Sequence, residues 1–157
     1  MSVAFRRESD EEHKEPKFEL PLPPGPNLVT RRGLALIATQ VSQLEAAIAA
    51  APPEPELETL KRELRYWLTR QTTAQLAPSP EPGVAGFGSR VTFLLGGRER
   101  VIDIVGDDEA DPADDRLSFS APLSQAVMGA ELGDLLDFNG KAEAIEIVAI
   151  EAIEDQA

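Results

Sequence analysis

Apolar residues repeat at two different spacings along this chain, and each spacing predicts a different kind of structure. In the first half they recur in steps of three and four, the period of one face of an α-helix. The first apolar stripe consists of Leu34, Ile37, Val41, Leu44 and Ile48. The second stripe consists of Leu57, Leu60, Leu64 and Trp67 or Leu68. Because single helices of this length are marginal in water, we predict that the two stripes pair antiparallel.

Capping and helix-breaking residues mark the ends of these helices. Thr30 precedes the first stripe and is a suitable N-cap, since its hydroxyl can accept a hydrogen bond from a free backbone amide. The run Pro52-Pro53-Glu54-Pro55 interrupts the helical pattern, so residues 50–56 form the predicted tip of the hairpin. The acidic residues nearest this tip are Glu54, Glu56 and Glu58.

Beyond residue 86, apolar and polar residues alternate, which is typical of half-buried strands. Strands are predicted around the turns Gly96-Gly97 and Asn139-Gly140. Between these hairpins the sequence predicts a strand at 117–120 and a short helix that has Pro122 in its first turn and Ser120 as N-cap. The predicted fold class is α+β: a short antiparallel helical hairpin, or coiled coil, followed by an antiparallel β domain with one short helix.

An acidic loop separates two of these strands. Six acidic residues follow Gly106: Asp107, Asp108, Glu109, Asp111, Asp114 and Asp115. Runs of like charge are usually solvated, so we expect this loop to stay in contact with water. A calcium site is less favoured, because the loop lacks the alternating Asp register that is followed by glycine and a distant Glu.

The formal net charge of −13 is concentrated in the C-terminal half, where residues 79–157 hold seventeen acidic and five basic residues. A protein that binds a nucleic-acid backbone needs a basic face, so strong direct nucleic-acid binding is not expected. A basic protein surface is the partner that this charge favours.

Composition excludes several classes of function. The chain has no cysteine and one histidine, His13, so thiolate chemistry and histidine-rich metal sites are excluded, and we expect no cofactor and no metal. No run of about eighteen apolar residues is present, and the N-terminus lacks the apolar core of a signal peptide. No membrane association is expected, and we predict a cytoplasmic protein.

Proline-rich segments divide the chain into four predicted regions. Residues 1–27 are charged and then proline-rich, which predicts a disordered tail. The helical hairpin occupies residues 28–77. Residues 78–86 contain too many prolines for a regular element and form a linker, and residues 87–153 form the β domain.

Ordered motifs in the β domain resemble the C-terminal domain of the GreA/GreB transcription elongation factors. These motifs are Phe87-Gly-Ser-Arg-Val91, Ile104-Val-Gly-Asp-Asp-Glu-Ala-Asp111, Leu117-Ser118, Pro122-Leu123, Gly129 and Gly133-Asp134. Upstream, Leu28-Val-Thr30 with Gly33 and Leu34, and Arg62-Glu-Leu-Arg-Tyr-Trp-Leu-Thr69, resemble the family's N-terminal coiled coil. The resemblance implies an FKBP-like fold for the β domain.

The resemblance also implies a partner and a binding surface. In this family the coiled coil enters the secondary channel of bacterial RNA polymerase, and the C-terminal domain binds the rim of that channel. The polymerase-binding residues that it implies here are Asp107, Asp108, Glu109, Asp111, Ser118, Ser120, Pro122 and Leu123. We expect Glu109 and Asp111 to contribute most. At Ala121 the chain departs from the family, which commonly has a serine before the proline, so one hydroxyl is lost.

A second departure lies at the hairpin tip. The family's tip presents acids in a Gly-Asp-x-x-Glu-Asn-Ala setting, which helps to hold a second magnesium and a water for cleavage of backtracked RNA. This sequence lacks that setting, and its hairpin is shortened. We therefore predict a polymerase-binding regulator that is not itself an enzyme. Two alternatives stay open: a true cleavage-stimulating factor that uses Glu54, Glu56 or Glu58, and an antagonist that displaces other secondary-channel factors. Activation and inhibition of elongation both stay open.

The implied fold is shared with prolyl isomerases, whose activity requires an apolar pocket generally lined by aromatic side chains. The aromatic residues of the β domain are Phe87, Phe93, Phe119 and Phe138, without Tyr or Trp. Alternation assigns Phe93 and Phe119 to the core. Prolyl isomerisation is therefore disfavoured, since a shared fold does not confer an activity.

Overall fold

The computed structural model of this chain describes residues 19–153. Residues 1–18, which make up most of the predicted disordered tail and include His13, lie outside the described residues. Residues 19–27 run as irregular backbone up to the first strand. Within the described range, no helix combines the length and the apolar character that crossing a membrane requires.

Two compact units divide the described residues. The first unit consists of residues 19–24 and 38–72, and the second consists of residues 25–37 and 73–153. The start of the first helix therefore belongs to the β-rich unit, whereas the sequence predicted one hairpin region over residues 28–77.

The first unit is built on the helical hairpin. Helix α1 spans Arg31–Ala49 and helix α2 spans Glu56–Thr73. Val41 and Leu44, in the middle of the first apolar stripe, are buried. Leu34, which starts the first stripe, and Leu68, which ends the second, are exposed. The predicted helical hairpin is confirmed, and its buried part is shorter than the stripes suggested.

A bidentate ion pair joins the irregular N-terminal segment to helix α2. Nε and Nη2 of Arg65 donate hydrogen bonds of 3.1 and 2.8 Å to the two carboxylate oxygens of Glu19. These hydrogen bonds lower the pKa of Glu19 and raise the pKa of Arg65 from their ordinary values. Next to this pair in sequence, the rings of Tyr66 and Trp67 meet edge to face, with centroids 5.1 Å apart.

A two-stranded parallel sheet opens the second unit. Strand β1 (Leu28–Val29) pairs with strand β2 (Gln75–Leu76). Nδ2 of Asn27 donates a hydrogen bond of 3.1 Å to Oγ1 of Thr73 beside it. The sequence did not predict this sheet, because two-residue strands are too short to show alternation.

The main sheet has five strands, in the order β5-β4-β3-β7-β6. They are β3 (Ser89–Leu95), β4 (Arg98–Val105), β5 (Arg116–Ser118), β6 (Leu135–Phe138) and β7 (Lys141–Ala152). Neighbouring strands are antiparallel except β4 and β5, which are parallel. The predicted turns are confirmed, and Gly96, Gly97, Asn139 and Gly140 all have the positive φ that such turns require.

One face of this sheet carries the core of the second unit. Its fully buried strand residues include Val91, Phe93, Ile102, Ile104, Ile145 and Ile147. Helix α3 (Pro122–Val127) packs Leu123 and Val127 into the same cluster. The alternation predicted for β3 is confirmed, since Val91 and Phe93 are fully buried and Thr92 between them is not. With this core formed, the acidic loop after β4 and the segment before α3 lie at one end of the sheet.

Candidate functional site

The acidic loop begins where strand β4 passes the backbone of strand β1. Strand β4 ends at Val105, and Gly106 follows directly. A Cβ atom on Gly106 would overlap the carbonyl oxygen of Leu28. Glycine is therefore required at this position by the close approach of two backbones.

Glu109 points inward from this loop, and its side chain is only 1% exposed. Oγ1 of Thr30 donates a hydrogen bond of 2.6 Å to Oε1 of Glu109. Nη1 of Arg32 donates a hydrogen bond of 2.9 Å to Oε2, and Nη1 of Arg116 lies 3.6 Å from the same oxygen. One hydroxyl and two guanidinium groups therefore surround a buried carboxylate.

The expectation that Glu109 belongs to a solvent-facing binding surface is wrong. The charge pattern of the sequence does not distinguish Glu109 from the other acidic residues of the loop. In the structure, hydrogen bonds from Thr30 and Arg32 make burial of this one carboxylate favourable. The hydroxyl of Thr30 also accepts a hydrogen bond of 2.9 Å from the backbone N–H of Gly33, which confirms Thr30 as the N-cap of α1.

Asp107, Ser118 and Ser120, three of the residues that the sequence predicted for polymerase binding, come together and are called here the Asp107 cluster. Oγ of Ser118 donates a hydrogen bond of 2.6 Å to Oδ1 of Asp107 and lies 2.8 Å from Oγ of Ser120. The hydroxyl of Ser120 also lies 3.4 Å from Oδ1 of Asp107. Ser120 is exposed, and the other two residues are half-buried. The cluster therefore presents carboxylate and hydroxyl oxygens at the surface.

The other loop acids surround a single turn of 3₁₀ helix, Pro112–Asp114. Asp111, Asp114 and Asp115 are exposed, and Asp108 is half-buried. Asp111 is held by its backbone, since its N–H donates to the carbonyl of Arg116 at 2.7 Å. For these residues the prediction of a solvated acidic loop agrees with the structure.

Helix α3 contains two more of the residues that the sequence predicted for polymerase binding, one of them exposed and the other buried. Pro122 is exposed at its first turn, whereas Leu123 is buried in the core and does not contribute to a surface. The N-cap of α3 is Ala121, without a side-chain cap. The prediction of Ser120 as N-cap is therefore wrong, because its hydroxyl belongs to the Asp107 cluster. Ser124, which the sequence did not single out, is fully buried, and its hydroxyl has no hydrogen-bond partner among the described residues.

The hairpin tip carries Glu54, Glu56 and Glu58, all of them exposed. Helix α2 begins at Glu56, so Glu56 and Glu58 lie in its first turn, where negative charge is favourable. Oε2 of Glu58 also lies 3.7 Å from Nη2 of Arg65. Among the residues that the structure describes, no three His, Cys, Asp or Glu side chains are grouped so that they could hold a metal ion.

The aromatic side chains of the β domain mainly pack against one another and the core. Phe93 is fully buried, and the rings of Phe87 and Phe119 meet edge to face with centroids 5.5 Å apart. Phe119 and Phe138 pack against the core cluster as partly buried residues.

Comparison with known proteins identifies the β domain. A family model described as "Transcription elongation factor, GreA/GreB, C-term" matches residues 79–154. The matched range contains the acidic loop, the Asp107 cluster and helix α3. It does not contain the helical hairpin.

Curated relatives extend this match in part. The transcription elongation factor GreB of Neisseria meningitidis is 35% identical over 104 residues, which cover 62% of this chain and 63% of that protein. The transcription elongation factor GreA of Sinorhizobium medicae is 39% identical over 69 residues, which cover 41% of this chain and 44% of that protein. The chain thus matches less than two thirds of the length of either relative.

Solved structures are more distant. The GreA factor homolog 1 (Gfh1) of Thermus thermophilus is 18% identical, with 82% of this chain and 100% of that chain covered and a TM-score of 0.39. The GreA/GreB elongation factor of Nitrosomonas europaea is 19% identical, with 81% and 98% covered and the same TM-score of 0.39. These TM-scores are too low to compare the architectures. Residues 79–154 thus match the GreA/GreB C-terminal domain, and the curated relatives that this chain is similar to are GreA and GreB factors.

Proposed function

We propose that this chain binds bacterial RNA polymerase at the rim of its secondary channel and thereby regulates transcription elongation. The observation that carries the proposal is the GreA/GreB C-terminal match over residues 79–154, which contains the acidic loop. The curated relatives are named transcription elongation factors. The match to the GreA/GreB C-terminal domain and an exposed acidic surface in the matched range support the same kind of partner.

The polymerase-binding surface that we propose consists of those residues predicted from the sequence that are not buried in the structure. Its members are Asp107, Asp108, Asp111, Ser118, Ser120 and Pro122. Glu109 and Leu123 are excluded because they are buried. A negatively charged surface is complementary to a basic protein face, and such complementarity accelerates association at low salt.

The Asp107 cluster gives this surface a defined geometry. The hydroxyl of Ser118 donates to the carboxylate of Asp107 and also accepts the backbone N–H of Ser120 at 3.1 Å. These bonds restrain the carboxylate before a partner arrives. A pre-organised group loses less conformational entropy on binding, so the cluster contributes more than a mobile carboxylate would.

The proposal is tested by titrating fluorescently labelled protein with purified bacterial core RNA polymerase and measuring anisotropy. Removing two charges of this surface, in the double variant Asp107→Asn with Asp111→Asn, is expected to weaken binding roughly tenfold. The matched control carries Glu146→Gln and Glu151→Gln, the same charge change on strand β7, and should bind like wild type. Absence of saturable binding by the wild-type chain would reject the proposal.

We propose that the chain acts without being an enzyme and without stimulating RNA cleavage. The first-turn position of Glu56 and Glu58 accounts for these acids as helix-stabilising charges. The alternative is a cleavage-stimulating factor that uses Glu54, Glu56 or Glu58, since all three are exposed at the tip. A transcript-cleavage assay on stalled complexes decides between them: cleavage that is lost in the triple alanine variant supports the alternative.

An antagonist of other secondary-channel factors is the second alternative, and it is favoured by the departure of the tip from the family's acidic setting. Competition between this chain and a GreA protein for polymerase tests it. Displacement of GreA with loss of GreA-dependent cleavage supports the antagonist.

The FKBP-like fold of the β domain and a cytoplasmic location belong to the same proposal. The fold is supported by a mainly antiparallel five-stranded sheet with helix α3 packed on its core face. The location is supported by the partner, because bacterial RNA polymerase works in the cytoplasm.

A further inference from the structure

The acidic loop contains one buried acidic side chain, which the proposed polymerase contact does not use. The carboxylate of Glu109 is buried, and each of its oxygens accepts a hydrogen bond from the start of helix α1. Thr30 binds Oε1 and Arg32 binds Oε2. We call these three residues the Glu109 clamp.

We propose that Glu109 is a positioning residue, which holds the first turn of helix α1 against the acidic loop. It acts through Thr30 and Arg32 and does not contact the polymerase. The consequence for function rests on the proposed polymerase binding: the clamp keeps the first turn of helix α1 packed on the domain that docks. Loss of the clamp therefore impairs the action of the hairpin and leaves docking intact.

Two glycines show that the clamp is a close-packed arrangement and not a chance surface contact. A Cβ on Gly33 would lie 3.0 Å from Oε1 of Glu109 and 3.4 Å from Oγ1 of Thr30. On the loop side, a Cβ on Gly106 would overlap the backbone of Leu28. Larger residues at either position would push the first turn of α1 and the loop apart.

The chemistry of the clamp suits a fixed geometry. A buried carboxylate is costly unless hydrogen bonds and opposite charges compensate for its lost hydration. Here the hydroxyl of Thr30 and the guanidinium of Arg32 donate to it, and the guanidinium of Arg116 lies 3.6 Å away. Moving helix α1 away from the loop would break both hydrogen bonds to this carboxylate. The packed arrangement is therefore favoured over the separated one.

A different role for Glu109 is direct contact with polymerase, as for its neighbours in the loop. The two roles predict different results for the same variants. Replacing a docking residue changes the affinity for polymerase and leaves the geometry of the free protein unchanged. Replacing a positioning residue changes the geometry of the free protein and leaves the affinity for polymerase unchanged.

The position of the start of helix α1 relative to the β domain can be measured by spin labelling. Labels can be attached at chosen sites because the chain has no native cysteine. Labels on Ala35→Cys in helix α1 and Arg98→Cys in strand β4 use two exposed positions of the second unit. Pulsed electron-paramagnetic-resonance measurements then report the distribution of distances between them. We expect a single narrow distance distribution when the labelled chain is otherwise wild type. The distribution should be broader when the labelled chain also carries Glu109→Ala.

Matched variants separate the clamp from general effects of charge and stability. Glu109→Gln keeps an acceptor for Thr30 but removes the charge that binds Arg32, and it serves if Glu109→Ala does not fold. Glu99→Gln makes the same charge change at an exposed position of strand β4 and should keep the narrow distribution. Thr30→Ser retains the hydroxyl and should also keep the narrow distance distribution, whereas Thr30→Val should broaden that distribution.

Polymerase experiments complete the test. We expect Glu109→Ala to bind core polymerase with unchanged affinity and to lose most of the wild-type effect on elongation. A narrow distance distribution in Glu109→Ala and Glu109→Gln would overturn the proposal, as would reduced affinity with unchanged geometry, which indicates docking. If the wild-type chain does not bind polymerase, the proposed function fails, while the distance measurement still decides whether Glu109 positions the helix.

Discussion

Thr30 donates a hydrogen bond of 2.6 Å to Glu109, 79 residues further along the chain. The same hydroxyl oxygen accepts the N–H of Gly33, so one side chain both starts helix α1 and holds a buried carboxylate. The segment around Leu28-Val-Thr30 and the segment around Gly106 to Glu109 resemble the GreA/GreB family separately in sequence. In the folded chain they are two sides of one packed arrangement.

Replacing Thr30 with valine removes both of these hydrogen bonds while nearly preserving the volume of the side chain. Loss of an N-cap costs about 1 kcal/mol, and loss of a hydrogen bond to a charged group costs about 1.5–3 kcal/mol. We therefore expect Thr30→Val to lower the free energy of unfolding by about 2–4 kcal/mol, measured by denaturant unfolding. Thr30→Ser keeps the hydroxyl and serves as control. Equal stability of the two variants would contradict the assigned role of the hydroxyl.

Replacing Gly106 with alanine tests the close approach of the acidic loop to strand β1. The added Cβ would overlap the carbonyl oxygen of Leu28, so the backbones must separate. Overpacking of this kind costs about 1–3 kcal/mol. Gly86→Ala is the matched control, because a Cβ there meets nothing within 4 Å. The midpoint of thermal unfolding should be lowered in Gly106→Ala and unchanged in Gly86→Ala.

Two ion pairs of strand β4 should differ in strength. Arg90 and Asp103 face each other across strands β3 and β4 with hydrogen bonds of 2.8 and 3.0 Å, and the Asp103 side chain is 9% exposed. Arg100 and Asp115 are 3.4 Å apart, with side chains 39% and 60% exposed.

Double-mutant cycles measure this difference. For alanine variants at Arg90 and Asp103 we expect a coupling energy of about 1–3 kcal/mol, because the bidentate geometry is fixed and one partner is buried. For Arg100 and Asp115 we expect about 0.2–1 kcal/mol, because water and salt screen an exposed pair. Equal coupling energies would show that burial does not control the strength of these pairs.

The ion pair between Glu19 and Arg65 predicts a pH dependence of the hairpin unit. Hydrogen bonds from Arg65 lower the pKa of Glu19, so the folded state binds its proton less readily than the unfolded state does. The contribution to stability is thus present above the ordinary carboxyl pKa and is lost as pH falls through the lowered value. Because both side chains are about half exposed, the effect on stability should be small.

NMR titration of the Glu19 carboxyl carbon checks this directly. We expect a midpoint below that of an ordinary glutamate in the wild-type chain and a return towards the ordinary value in Arg65→Met. An identical midpoint in both proteins would show that the ion pair does not form in solution.

Much of the β domain could be predicted from local patterns. Alternation identified the inward-facing residues Val91 and Phe93, and glycine and asparagine marked the turns, because strand period and turn geometry depend on neighbouring residues. The helical hairpin was predictable for the same reason, since the period of its apolar stripes and the proline-rich tip are local signals. The motifs of the acidic loop also predicted the similarity to the GreA/GreB C-terminal domain that the match over residues 79–154 shows.

Only the tertiary structure decided which acid of that loop is buried. In the sequence, Glu109 is one of six similar charges, and nothing nearby distinguishes it from Asp108 or Asp111. Its burial depends on donors from Thr30 and Arg32, which the fold brings to it from a distant part of the chain. Sequence by itself thus determined the elements and their turns, because these follow from short-range periodicity. The role of an individual charge depends on its neighbours in space, and these exist only once the two segments have packed together.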